Sequence, residues 1–330
     1  MERKVVIVHH NDMDGIFSGA LVYDHEKNVQ KADWIKCIEV DYTDNLTTKI
    51  GTDILFMENI IVYFVDYSFS KKENTEVIST ILNHNSNVIW IDHHATSKKL
   101  LDELSTEITD NDKFKAIINT EYCGTVLCYE YLNNIKNNKK ILNLVDSWDC
   151  WKHNMDNDRE FNEGFRNMHY TAEYFGEFIG KVMVFEDKEE NYINDWINKG
   201  TVICSYIDNN NEALCKSNGF EFTIDYFGTK YNCFGLFQYG NSTVFSDRVN
   251  QYDITSLIRF NGEQYVYSLY TTNSDINCSE IASTLGNIDG LGGGGHPGAA
   301  GFQAYSNIMH KDAIITVAKS LFGKTKINVK

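Results

Sequence analysis

The sequence has a single proline, Pro297, in 330 residues, where average usage of roughly 5% would place about 16; this shortage carries no function of its own. It has no continuous apolar run of 18 residues, which excludes a membrane-spanning helix. The opening Met1-Glu2-Arg3-Lys4 leads straight into Val5-Val6-Ile7-Val8, too short an apolar stretch for a secretion signal and without a small-residue cleavage site, so a cytoplasmic location is expected. The eight cysteines, at positions 37, 123, 128, 150, 204, 215, 233 and 278, include no CxxC pair. Reduced thiols therefore fit better than a disulfide framework, and a zinc ribbon is not expected. Positive charge is also scarce: 30 Lys and Arg face 46 Asp and Glu, a net charge of −16. Such a surface repels a polyanion, so long duplex nucleic acid is not an expected partner, and any nucleic-acid substrate is expected to be short.

What is present is an ordinary globular composition, 42% hydrophobic over a length that suits two domains of about 150 residues each. The first half alternates short β-branched runs with helix-capable segments: Val5 to Val8, Ile16 to Tyr23, Trp34 to Val40, Ile60 to Val65, Val88 to Ile91 and Ala116 to Ile118. That alternation predicts an open, mainly parallel α/β sheet. Two further helices are expected, around Val126 to Leu132 and Lys140 to Val145. From about 155 to 215 the chain is polar and acidic with a helical apolar stripe, Tyr192-Ile193, Trp196-Ile197 and Val202-Ile203. Beyond 216 it changes to strand-like alternation at Phe220 to Ile224, Asn232 to Phe237 and Tyr265 to Tyr270, then a helix-like Ser279 to Leu285 and a glycine run, Gly292 to Gly295. The expected fold is α/β: a domain over 1–160, a helical connector over 161–215, and a smaller α+β domain over 216–330.

The chemistry lies where the first-half runs end. The first ends at His9-His10-Asn11-Asp12-Met13-Asp14-Gly15, another at Asp66, another at Asp92-His93-His94, and ligands of open α/β sheets bind at such carboxyl ends. A fourth acidic cluster follows the Lys140 helix in Asp146-Ser147-Trp148-Asp149-Cys150-Trp151. Each piece alone has a structural reading: Asp-x-Asp-Gly makes turns, and an aspartate after a strand caps a helix. Together they are not explained by a packed core. Oxygen and imidazole donors without thiolate suit Mn²⁺ or Mg²⁺, and His10, Asp12 and Asp14, alternating along an extended segment, can share a face.

On these residues the sequence resembles the DHH phosphoesterase superfamily, named for the Asp-His-His found here at Asp92-His93-His94. The run Gly292 to Phe302, with Gly293, Gly294, Gly295 and His296, looks like the signature of the DHH-associated substrate domain. His10-Asn11-Asp12-Met13-Asp14-Gly15, Gly124-Thr125 before Tyr129-Glu130-Tyr131-Leu132, and Trp148-Asp149-Cys150-Trp151 look most like the oligoribonuclease B group of nano-RNases, which degrade short oligonucleotides. The resemblance implies two Mn²⁺ ions, with Mg²⁺ or Co²⁺ as possible substitutes. His10 and Asp12 would hold one, Asp14 and His93 the other, with Asp66 bridging. Asp149, or in reserve Asp146, would add a carboxylate to the second ion. Asp92 would orient a histidine ligand, His94 would contact the scissile phosphate, and Gly293 to His296 would bind substrate. Many relatives also carry an Arg-Ser pair on the strand before the glycine run; here that stretch reads Tyr270-Thr271-Thr272, leaving Arg259, Arg248 or Tyr270 as substitutes.

The expected function is a two-metal, Mn-dependent phosphodiesterase that hydrolyses short oligonucleotides to mononucleotides through a metal-bridging hydroxide, with no covalent nucleophile. The alternatives are a phosphatase for 3′,5′-bisphosphate nucleotides, a cyclic mono- or dinucleotide phosphodiesterase and, outside enzymes, a nucleotide-binding regulator. The cysteines are read as core or incidental, with Cys150 beside the fourth cluster.

Overall fold

The computed structural model describes residues 2–42, 44–69, 72–104, 106–320 and 324–330. The chain divides into two compact units, Met1–Cys204 and Ser205–Lys330. The first is built on five parallel strands, β1 (Lys4–His10), β2 (Trp34–Val40), β3 (Ile61–Val65), β4 (Asn87–Asp92) and β5 (Phe114–Ile118), in the order β2-β1-β3-β4-β5. Strand direction alternates side chains between faces. Val5 and Ile7 of β1 therefore pack with Phe17, Val126, Leu142 and Val145 on one side, while Val6 and Val8 pack with Ile54, Ile78 and Trp90 on the other. Both faces being buried explains why these strands read as continuous apolar runs.

The segment expected as a connector over 161–215 is helical but not uniform. Its first part forms the helices Asp158–Arg166, Ala172–Gly176 and Ile179–Val184, whose Phe161, Phe165, Phe175 and Ile179 belong to the core of the first unit. The rest is one helix, Glu186–Asn218, and the unit boundary falls within it. The acidic texture of this stretch conceals an aromatic cluster: the Phe17 ring lies 4.7 Å from those of Phe165 and Phe175 and 6.2 Å from Trp196.

The second unit holds a mixed eight-stranded sheet. Its strands are β6 (Phe220–Tyr226), β7 (Thr229–Phe237), β8 (Ile254–Phe260), β9 (Tyr265–Tyr270), β10 (Gly293–His296), β11 (Ala299–Ala304), β12 (Ile314–Lys319) and β13 (Thr325–Val329), in the order β10-β11-β9-β8-β7-β6-β12-β13. Helix Cys278–Gly286 covers it. Most of the glycine run, Gly293 to Gly295, lies in an edge strand paired antiparallel with β11. Glycine is required there by proximity: a Cβ on Gly293 would lie 2.3 Å from the Ala282 carbonyl oxygen. Among the described residues no helix is long and apolar enough to cross a membrane.

Candidate metal centre

The strand order reverses between β1 and β3, and at such a switch point the carboxyl ends of the strands open a crevice. β1 delivers His10 there and turns at once into helix Met13–Asp24. Asp12 caps that helix, accepting from the Gly15 N–H at 3.0 Å. The turn is so tight that a Cβ on Gly15 would lie 2.2 Å from the His10 carbonyl oxygen. It sets Asp12 Oδ2 2.8 Å from His10 Nδ1.

Asp14, buried in the first turn, is held from a different element. The Gly124 and Thr125 N–H groups, opening helix Gly124–Asn133, donate to its Oδ2 and Oδ1 at 2.7 and 2.8 Å. A Cβ on Gly124 would lie 2.9 Å from both Asp14 Oδ2 and Asp66 Cβ, so glycine permits this approach. Asp66 follows β3 in left-handed backbone, φ 50°, a conformation aspartate tolerates better than most residues. Its carboxylate is central: Oδ1 lies 3.3 Å from His93 Nε2 and 4.0 Å from His94 Nδ1, and Oδ2 lies 4.0 Å from His10 Nδ1.

β4 supplies the rest. Asp92 Oδ1 is 2.8 Å from His94 Nδ1, and Ser97 Oγ donates to its other oxygen. His93 Nε2 is 3.8 Å from Asp14 Oδ2 and 3.2 Å from Asp149 Oδ2. Of the two fourth-cluster aspartates, Asp149 thus faces the group, whereas Asp146 accepts from the Cys123 N–H at 2.8 Å and from Lys152 Nζ at 2.5 Å. Tyr42, just past β2, was not among the residues singled out from sequence; its hydroxyl is 3.2 Å from His94 Nε2 and its ring 4.7 Å from that of His10. Only its place after a strand end hinted at this.

Burial drives the Asp66 carboxyl well above the ordinary range, and Asp14, Asp12, Asp149 and Asp92 add to the push. Asp149 rises to about 9, again through burial and then Asp14 and Asp12. Against the desolvation of its surroundings, the hydrogen bond and charge of His10 hold Asp12 down at about 2. Desolvation is likewise outweighed at His94, which Asp92 keeps readily protonated. Both oxygens of Asp66 and Asp149 Oδ2 are buried without a hydrogen-bond partner. Crowded carboxylates and orphaned donor atoms at one spot are what a divalent cation satisfies. The donors are oxygen and imidazole nitrogen, fitting Mn²⁺ or Mg²⁺. The Cys150 thiol, 3.8 Å from His93 Nδ1, is kept protonated by burial and the neighbouring Asp146 and Asp149.

Residues 4–147 match the model of the DHH family, N-terminal domain. The DHH match ends at Ser147, so it takes in His10, Asp12, Asp14, Asp66, Asp92, His93, His94 and Asp146 but stops two residues before Asp149. Among solved structures, the chain is similar to RecJ from Thermus thermophilus in complex with Mn²⁺, at 12% identity over 91% of this chain and 49% of that one, with a TM-score of 0.47. It thus spans about half the length of that relative. It is also similar to PggH, a pGpG-specific phosphodiesterase from Vibrio cholerae, at 14% identity over 92% of this chain and 94% of that one, TM-score 0.47. No curated protein sequence matches it.

Gly293, Gly294, Gly295 and His296 lie outside the DHH match, on β10 in the second unit. Of the cations considered as substitutes there, Arg248 is engaged with Glu212, at 3.0 Å through one guanidinium nitrogen and closer through another. Arg259 lies over the Tyr239 ring at 5.6 Å. Tyr270 packs near Phe245, ring centroids 6.5 Å apart.

Proposed function

We propose that the protein is a metal-dependent phosphoesterase that hydrolyses short oligonucleotides to mononucleotides at this cluster. The observation that supports the reading most is the convergence of five carboxylates and three imidazoles, from three strand ends, the helix turn after the first of them and the end of helix Lys140–Asp149, around orphaned buried oxygens. His10 and Asp12 would hold one Mn²⁺, Asp14, His93 and Asp149 a second, and Asp66, within reach of both groups, would bridge them. Bound there, the ions supply positive charge at the phosphate and lower the pKa of water.

The remaining residues orient and donate. Asp92, fixed by Ser97, holds His94 in one ring orientation. It also favours the protonated form of His94, in which Nε2 can donate to a phosphate oxygen as negative charge builds up in attack. Tyr42, which shares that nitrogen, positions the ring. Gly293 to Gly295 would let the β10 backbone approach a nucleotide closely, with His296 as a donor. The net charge of −16 supports short substrates over long ones.

The test is product analysis with Mn²⁺ and 5′-labelled RNAs of two to about 24 nucleotides, alongside a bisphosphate and cyclic nucleotides, with Asp66→Ala as control. Mononucleotides released fastest from the shortest oligomers, and not by the variant, are the expected result. Turnover confined to a bisphosphate or cyclic nucleotide would overturn the oligonucleotide assignment while keeping the site's chemistry.

A further inference from the structure

Next to the metal cluster the first unit carries a cavity of about 530 Å³, within the size range of small-molecule sites. Asp12 belongs to both: its carboxylate pairs with His10, and with Asn11 it lines one end of the cavity. The other end is formed by Arg166, Asn167, His169 and Tyr170. This second group is rigidly placed. Helix Asp158–Arg166 crosses helix Glu186–Asn218 at two glycines, where a Cβ on Gly164 would lie 1.8 Å from the Trp196 carbonyl oxygen and one on Gly200 1.7 Å from that of Glu160.

The chemistry of the lining suits a nucleotide. Tyr170 is half-buried and braced by Phe175, ring centroids 5.6 Å apart and 8° from parallel, which makes it a firm wall for a base. Arg166 is available: its side chain is 62% exposed, and its contact with Glu163, three residues earlier, spans 3.5 Å, an arrangement easily given up for a better anion. Glu39 and Glu163 also line the cavity and oppose an anion. Arg166 offsets one of them, and cations at the cluster would offset Asp12.

We propose that this cavity is the subsite for the nucleotide adjoining the scissile bond, with Arg166 holding that nucleotide's phosphate and Tyr170 its base. This rests on the oligonucleotide reading above and makes the first unit discriminate a dinucleotide from an ester carrying one nucleotide only.

The experiment compares a 5′-phosphorylated dinucleotide with the p-nitrophenyl ester of thymidine 5′-monophosphate in wild type, Arg166→Gln and Arg166→Lys. Arg166→Gln is expected to lower the preference for the dinucleotide about tenfold, the size of one charge-assisted hydrogen bond at an exposed position. The change should fall on KM rather than kcat, with partial recovery in Arg166→Lys. An unchanged preference, or equal losses on both substrates, would overturn the subsite. Calorimetric binding of a dinucleotide with a non-hydrolysable methylenephosphonate link separates this from the function itself. If wild type cleaves neither substrate, the oligonucleotide reading fails, while tenfold weaker binding by Arg166→Gln still supports the subsite. Absent or equal binding overturns it.

Discussion

Two aspartates three residues apart, Asp146 and Asp149, occupy different chemical situations. Asp149 presents an oxygen with no hydrogen-bond partner to His93, while Asp146 ties the Cys123 backbone to Lys152. Asp149→Asn should therefore weaken Mn²⁺ binding by at least tenfold, measured by calorimetric titration, and leave urea stability close to wild type or above it. Asp146→Ala should instead cost roughly 1–3 kcal/mol of stability, because it strands a buried N–H and a cation, with the smaller effect on the metal. The reverse pattern would exchange their roles. Sequence made both residues visible as one acidic cluster, yet nothing in a linear pattern separates them. Three residues apart, they share a face of helix Lys140–Asp149; the difference is that the last turn brings Asp149 to His93 while Asp146, one turn earlier, meets Cys123 and Lys152, and that depends on packing. Asp66 and Asp92-His93-His94 were more legible, since a strand end places a side chain at the crevice with little help from elsewhere. Tyr42 was not, because its role depends on its distance to His94 alone.

Elements position these residues, and at the site they meet closely at Gly124. The helix it opens gives two N–H groups to Asp14, and no room remains for a methyl group between Asp14 and Asp66. Gly124→Ala is expected to reduce phosphodiesterase turnover at least tenfold, assayed at saturating Mn²⁺. It should cost about 1–3 kcal/mol of stability through overpacking, read from urea denaturation. Full activity would show that the helix can shift without moving the carboxylates. Glycines also mark the limits of sequence reading. Gly293 to Gly295 lack the side-chain alternation that identifies a strand, so β10 reads as a loop, although its pairing with β11 is backbone work that needs no side chains. The strands Ile254–Phe260, Ile314–Lys319 and Thr325–Val329 were not read out either, the last two being short and mostly exposed on their outer faces. The aromatic residues of 158–184 were obscured by the acidic residues between them.

At the scale of the whole molecule, the site is a liability without its cations. Asp149 titrates near 9 in the folded chain and Asp66 is raised well above its ordinary value, whereas in the unfolded chain both ionise around 4. Between these limits the folded state keeps protons that the unfolded state has released. Stability then falls as pH rises: the contribution is complete below about pH 4 and is lost on the way to about pH 9. Asp12 and Asp92, held down by His10 and His94, act oppositely, but they lose their stabilising effect only below the ordinary carboxylate range. The metal-free protein should therefore melt at progressively lower temperature from pH 6 to pH 9 in scanning calorimetry with a chelator present. Mn²⁺ should raise the melting temperature, by an amount corresponding to about 2.7 kcal/mol at a hundredfold excess over its dissociation constant. Because protons and cations compete for the same oxygens, this rise should be larger at pH 8.5 than at pH 6. A Mn²⁺ effect independent of pH, or one preserved in Asp66→Asn, would place the ion elsewhere and remove the physical basis for the crowded carboxylates.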